Sequence, residues 1–242
     1  LEREFDMMPT ITTPSVVYKV HKKDSDEIID IFSPTELPDP SQVESIEEPF
    51  VKLEIIAPSE YLGKVMELMN NTRAQYSMTD YIDETRVQLT FDAPLMDVIV
   101  DFHDQLKSVS SGYASMNYEI SEYRVSDLVK LDILVAGDAV DAFARIVPRD
   151  RAHAEGKATV DKLKEVLPRQ NFVVAIQAAI GSKVIARATI SAFRKDVTAG
   201  LYGGDITRKR KLLEKQKKGK KRMAQSGKVE IPPEAFLKVL RK

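Results

Sequence analysis

The sequence predicts an α+β protein: a ferredoxin-like split β-α-β unit followed by a second α+β domain, in which a small antiparallel sheet surrounds a helix and a basic C-terminal segment follows. Three observations predict it. Between Phe50 and Ile120 the hydrophobic period switches between two and 3.6 in the order β-α-β-β-α-β. Strand and helix patterns resume after Ser126. The charge is also split. Residues 1–182 carry 18 Lys and Arg against 32 Asp and Glu, and residues 183–242 carry 18 against 5, so a formal net charge of −1 conceals an acidic body and a cationic end.

In order along the chain, Ile11, Thr12 and Thr13, then Val16, Val17, Tyr18 and Val20, read as edge-strand material. Pro34, Pro38, Pro40 and Pro49 make 33–49 an extended acidic linker, so residues 1–47 form the end of a preceding domain. The first full unit is 48–125. Phe50 to Ile56 is a strand. Ser59 is placed to cap a helix carrying Tyr61, Leu62, Val65, Met66 and Met69. Tyr76 to Ile82 and Val87 to Phe91 flank a turn at Asp83-Glu84. Pro94 starts a helix with Leu95, Val98, Ile99, Phe102 and Leu106 on one face. Gly112 breaks the chain before a fourth strand, Tyr113 to Ile120.

The second unit is 126–242. Leu128 to Val135 is a strand ended by Gly137-Asp138. Asp150 is placed to cap a helix with Gly156, Val160, Leu163 and Leu167 on one face, stopped by Pro168. Phe172 to Ile180 and Val184 to Ala188 form a hairpin around Gly181-Ser182. Thr189 to Ala199 reads as a short helix carrying Arg194 and Lys195, and Pro232-Pro233 opens a last helix with Phe236, Leu237, Val239 and Leu240.

Composition excludes much chemistry. With no cysteine there is no disulfide, thiolate metal site or cysteine nucleophile. None of the Gly-Lys pairs is followed by Ser or Thr, so there is no Walker-type phosphate loop, and neither Gly-x-Gly-x-x-Gly nor Gly-x-Ser-x-Gly occurs. The three histidines are far apart in sequence. No apolar run approaches the roughly 18 residues that span a bilayer. The chain is expected to have no catalytic, cofactor-binding or metal-binding residues.

The basic segment is the strong signal. Arg208, Lys209, Arg210, Lys211, Lys215, Lys217, Lys218, Lys220, Lys221 and Arg222 face one acid, Glu214, within 208–222. Such a run suits phosphate backbones, whose counterions it would release. Lysine clusters are equally attracted to anionic lipid, so a membrane-surface adaptor is the rival reading. A third reading is a solubilising tail. Tyr202, Gly203 and Gly204 at its head favour RNA, because a tyrosine stacks on bases and glycines let backbone approach phosphate. Like charges predict a segment mobile when free and ordered when counter-charged. Lys183, Arg187, Arg194 and Lys195 are further candidate RNA-binding residues, and Gly112 and Tyr113 a candidate docking edge. An enzyme rival, an acylphosphatase-like site, would use Asn70, Asn71 and Arg73 but lacks a glycine loop before them.

Tyr202-Gly203-Gly204-Asp205-Ile206-Thr207-Arg208-Lys209-Arg210-Lys211-Leu212-Leu213 resembles the C-terminal signature of the LepA, or elongation factor 4, family. Pro168-Arg169-Gln170, Ile176-Gln177-Ala178-Ala179-Ile180-Gly181, Ile185-Ala186-Arg187 and Val229-Glu230-Ile231-Pro232 support it, and Gly112-Tyr113-Ala114-Ser115 is similar to domain V of elongation factor G. The resemblance covers essentially the whole chain. It implies a translational GTPase that binds the ribosome, touches rRNA and the A-site tRNA, and promotes backward movement of tRNAs as a fidelity or stress factor. GTP and Mg would be bound in a G domain outside this chain. The resemblance further implies a cytoplasmic monomer with peripheral contact at the inner face of the membrane, and it leaves a mitochondrial or plastid homologue open. Four positions depart from the family pattern: Ser111 replaces a basic residue, Ala74 a glycine, Leu201 a cysteine and Pro148 a histidine. Ala74 would cost about 1 kcal/mol if it kept a left-handed backbone.

Overall fold

The computed structural model describes residues 14–23, 27–199, 206–227 and 229–240. They fall into two compact units, Thr13–Leu128 and the part from Val129 onward. The architecture is α+β, as expected.

The spine of the first unit is a 16-residue strand. β1 (Tyr18–Lys22), β2 (Ile28–Ile31) and β3 (Val43–Pro58) open the chain. The helix α1 (Leu62–Asn70) follows, then β4 (Gln75–Tyr81) and β5 (Arg86–Pro94). Next come α2 (Leu95–Ile99), α3 (Phe102–Val109) and β6 (Ser115–Ser126). The antiparallel sheet runs β2-β1-β3-β5-β4, with β6 on the other edge of β3. From β3 onward this is the split β-α-β-β-α-β topology. Period two puts Val51, Leu53, Ile55 and Ala57 on one face, where they are buried with Leu89, Phe91, Val65, Leu68, Val98, Phe102 and Leu106 beneath the helices.

Several expectations change. The first strand is not an edge: β1 lies between β2 and β3, and β2 has no counterpart in the pattern of the sequence. The linker over 33–49 is shorter than its prolines imply, because β3 already begins at Val43 and accommodates Pro49 where its register against β6 shifts. Ser59 is no helix cap. It starts a 3-10 turn (Ser59–Tyr61), and its N–H goes to the Thr85 carbonyl at 2.8 Å. The helix expected from Pro94 to Leu106 is two helices, broken where Asp101 takes a left-handed φ of +57°, a conformation its short polar side chain tolerates. Ala74 is not among the positive-φ residues, so the expected strain is absent. Its N–H is satisfied by Thr72 Oγ1 at 3.2 Å.

In the second unit β7 (Leu128–Val135) turns through Ala136 and Gly137, at φ +56° and +100°, into the short β8 (Asp138–Ala139). β9 (Arg145–Pro148) pairs β7. The helix α4 (Ala152–Val166), β10 (Val174–Ile180) and β11 (Lys183–Ile190) follow. The sheet order is β11-β10-β7-β8, so β11 is an edge. Leu131, Ile133, Val160, Leu163, Val174 and Ile176 form its core. Gly156 is where α4 crosses the sheet: an added Cβ would lie 2.9 Å from the Ala178 Cβ. Asp150 does not cap this helix. The N-cap is Arg151, with no side-chain cap bond, and Asp150 Oδ1 accepts the Arg151 N–H at 2.9 Å.

The short helix expected over 189–199 is absent. Strand β11 continues to Ile190 and residues 191–199 are irregular, since Ile190 pairs with Val174 and extends the hairpin instead. The last helices are α5 (Ile206–Ser226) and α6 (Pro233–Leu240). Helix α6 buries Ala235 and Val239 and stacks Phe236 on Phe143, ring centroids 4.9 Å apart.

Candidate nucleic-acid interface

Helix α5 carries the basic run, and its residues divide by angle around the axis. Lys209, Leu212, Gln216, Lys220 and Ala224, spaced three or four apart, are half-buried and form the inner face. Gln216 Nε2 donates to the Lys195 carbonyl at 2.8 Å, and Lys220 Nζ donates to the Phe193 carbonyl. The irregular stretch 191–199 is therefore the helix's seat. Lys220, a candidate RNA-binding residue by sequence, is turned inward and holds the helix. The sequence signal for this face is the spacing, by four and then eight residues, of its uncharged members Leu212, Gln216 and Ala224.

The opposite face is a ridge of cations. Lys211, Lys215, Lys218 and Arg222, spaced 4, 3 and 4 residues apart, are all exposed, and Arg208 is exposed one turn earlier. From Lys211 to Arg222 the ridge runs about 16 Å at the ~1.5 Å rise of a helix. Arg210 is within 3.6 Å of Glu214, but both are largely exposed, so that pair offsets little of the charge. Arg210, Lys217 and Lys221 lie to one side, across a groove from Arg194. The fold thus gathers Arg194, from a separate segment, with the helix cations. Lys195 is exposed beside it.

Lys183 and Arg187 lie elsewhere. Both are exposed or half-exposed on the edge strand β11, where Lys183 pairs with Ile180 and Arg187 with Gln177. Neither lines the groove. Tyr202, Gly203 and Gly204, and the departing Leu201, lie outside the described residues.

In the first unit, Gly112 takes φ +85° after Ser111 at +52°, and donates its N–H to the Lys107 carbonyl at 2.7 Å. Lys107 Nζ in turn donates to the Ala114 carbonyl at 2.7 Å. This tight end holds Tyr113 out of the core, 69% exposed, with its ring stacked on Tyr61 at 6.2 Å. Arg73 is closed off as an anion site. It donates to Glu48 and to Asp97, and Asp97 Oδ1 lies 2.9 Å from its Nη2. Burial pulls the Arg73 pKa down, but the bonds from Glu48 and Asp97 outweigh it and leave it above the ordinary arginine range. An acylphosphatase-like site built on this arginine has no free guanidinium to offer.

No Walker-type loop exists in the sequence, and among the described residues no group of three or more His, Cys, Asp or Glu side chains gathers to hold a metal ion. Among the described residues, no helix is long and apolar enough to cross a membrane.

Residues 135–241 match the family model described as GTP-binding protein LepA C-terminus, and residues 45–134 that of the elongation factor G C-terminus. Curated relatives include elongation factor 4 of Streptococcus gordonii, 55% identical over 240 residues, which is 99% of this chain and 39% of that protein. Elongation factor 4 of Clostridium novyi is 53% identical over 241 residues, covering 100% of this chain and 40% of its own length. Elongation factor 4 of Clostridium botulinum is 55% identical over the same shares. The chain spans about 40% of the length of these relatives.

Proposed function

Because the chain belongs to the LepA (elongation factor 4) family, we propose that it is the RNA-facing C-terminal portion of a ribosome-dependent translational GTPase. The whole protein would hydrolyse GTP with Mg in a G domain outside this chain. It would promote one-codon backward movement of tRNAs on the ribosome. In this chain, α5 holds the A-site tRNA or neighbouring rRNA by backbone charge, and the first unit docks on the ribosome near Gly112 and Tyr113. The ridge Lys211, Lys215, Lys218 and Arg222 carries this reading: four exposed cations on one face of a helix form a line suited to a phosphate backbone. Arg194 and Lys195 extend the cationic surface beside α5, and Lys183 and Arg187 on the edge strand β11 are separate candidate contacts.

The inner face of α5 argues against a membrane role as the main one. An interfacial helix turns its apolar side to lipid. Here Leu212 and Ala224 belong to the half-buried face, and the outward face is charged. Co-sedimentation of the chain with ribosomes across a salt series tests the proposal. Binding that weakens steeply with salt, and is competed by tRNA, supports it. Retention on anionic vesicles that tRNA fails to displace overturns it.

A further inference from the structure

The groove beside α5 has a volume of about 680 Å³ and a divided chemistry. Its floor includes Val173, Ala192 and Leu213, and its rim carries Arg194 from the 191–199 stretch and Arg210 and Lys217 from the helix. Val173 is 52% and Leu213 37% exposed, so the apolar floor is open to an occupant. The walls are pinned by Gln216 on the Lys195 carbonyl and by Lys220 on the Phe193 carbonyl, so that task does not fall to the rim cations. Glu214 also lines the groove, with Arg210 3.6 Å away, so the net rim charge remains positive.

We infer that this groove receives a single unpaired nucleotide extruded from a bound RNA, its base against Val173, Ala192 and Leu213 and its phosphate against Arg194 and Lys217. The inference rests on the RNA-binding reading of α5 and adds a subsite to it. A continuous duplex would present phosphates to the ridge but no base face to the floor. A flipped base has an apolar face for the aliphatic side chains and an edge whose acceptors can take hydrogen bonds from an arginine. The volume falls within the roughly 300–1,000 Å³ of pockets for small ligands. A phosphate alone would not use the floor, and an apolar ligand alone would not use the rim.

The test uses this chain and two RNA hairpins of equal length, one fully paired and one with a one-nucleotide bulge carrying a fluorescent base analogue. The expected result is about tenfold tighter binding of the bulged hairpin, the scale set by burying one base face against aliphatic side chains, with a change in the analogue's fluorescence. The variants Leu213→Ser and Val173→Thr should remove that preference while the paired hairpin binds within about twofold of its original affinity, because neither side chain is on the ridge. A bulge with an abasic nucleotide should behave as the paired hairpin. Equal binding of both hairpins by the unmodified chain overturns the subsite and leaves the RNA reading standing. A preference that survives both variants also overturns it. Failure to bind either hairpin at low salt overturns the RNA reading, and the subsite with it.

Discussion

Arg73 grips Glu48, a carboxylate only 1% exposed, from the far end of α1, with Nη2 donating to Oε2 at 3.0 Å. The same guanidinium reaches Asp97 at the start of α2, and the Arg73 N–H adds a bond to Asp97 Oδ2 at 3.0 Å. One side chain therefore ties β3, the loop after α1 and the second helical layer. Removing either partner would leave the other charge buried. Arg73→Ala is expected to cost about 3–5 kcal/mol in urea unfolding. The double change Arg73→Met with Glu48→Leu should cost less than Arg73→Ala alone. A cost below about 1 kcal/mol for Arg73→Ala would show that the cluster is not needed for the fold.

Gly156 predicts a packing conflict. Alanine is the better helix former by about 1 kcal/mol. Here its methyl would meet the Ala178 Cβ at 2.9 Å and the Leu131 Cδ1 at 3.3 Å. Overpacking of this kind costs roughly 1–3 kcal/mol, and a rigid Cβ cannot swing aside. Gly156→Ala should thus lower the melting temperature, and Ala178→Gly should restore part of the loss. A rise in melting temperature for Gly156→Ala would mean that α4 shifts freely on its sheet.

Asp83 ties the β4–β5 turn together through its carboxylate. Its carboxylate accepts Thr85 Oγ1 and N–H at 2.8 Å, the Arg86 N–H at 2.9 Å and Arg86 Nε at 2.8 Å. The Thr85 hydroxyl first, then the Thr85 amide and Arg86, hold its pKa below the ordinary aspartate range. A depressed folded pKa means that the contribution is present above the unfolded value near 3.9 and is lost as pH falls below it towards the folded pKa. NMR titration should find Asp83 ionised well below about pH 3.9. Asp83→Asn should weaken the turn above about pH 4 and leave it less dependent on pH below that. A titration midpoint at the ordinary value would refute the capped geometry.

The two faces of α5 predict different salt behaviour. Changing Lys211, Lys215, Lys218 and Arg222 to Gln should flatten the log–log salt slope of RNA binding by roughly 0.7–0.9 for each phosphate no longer neutralised. Lys220→Gln should change that slope little, because its amine is spent on the Phe193 carbonyl, and should instead raise amide exchange around residues 191–196. Equal slope changes for Lys220 and for a ridge lysine would erase the distinction between the faces.

Features that depend on neighbours along the chain are legible without the fold: the alternation at Val51, Leu53 and Ile55, the helical stripe through Leu62, Val65 and Met69, the glycine-bearing turns, and the division of charge between body and end. These follow from side-chain period and backbone preference, which are local. Other features are settled only when distant segments meet. Whether Arg73 is a free cation or a buried tie depends on Glu48, 25 residues away. That α5 commits Lys220 to its seat and keeps Lys211, Lys215, Lys218 and Arg222 outward depends on the irregular stretch at 193–195. A run of like residues has no order of importance along the chain, because burial and hydrogen-bond partners are assigned by surfaces that come together on folding.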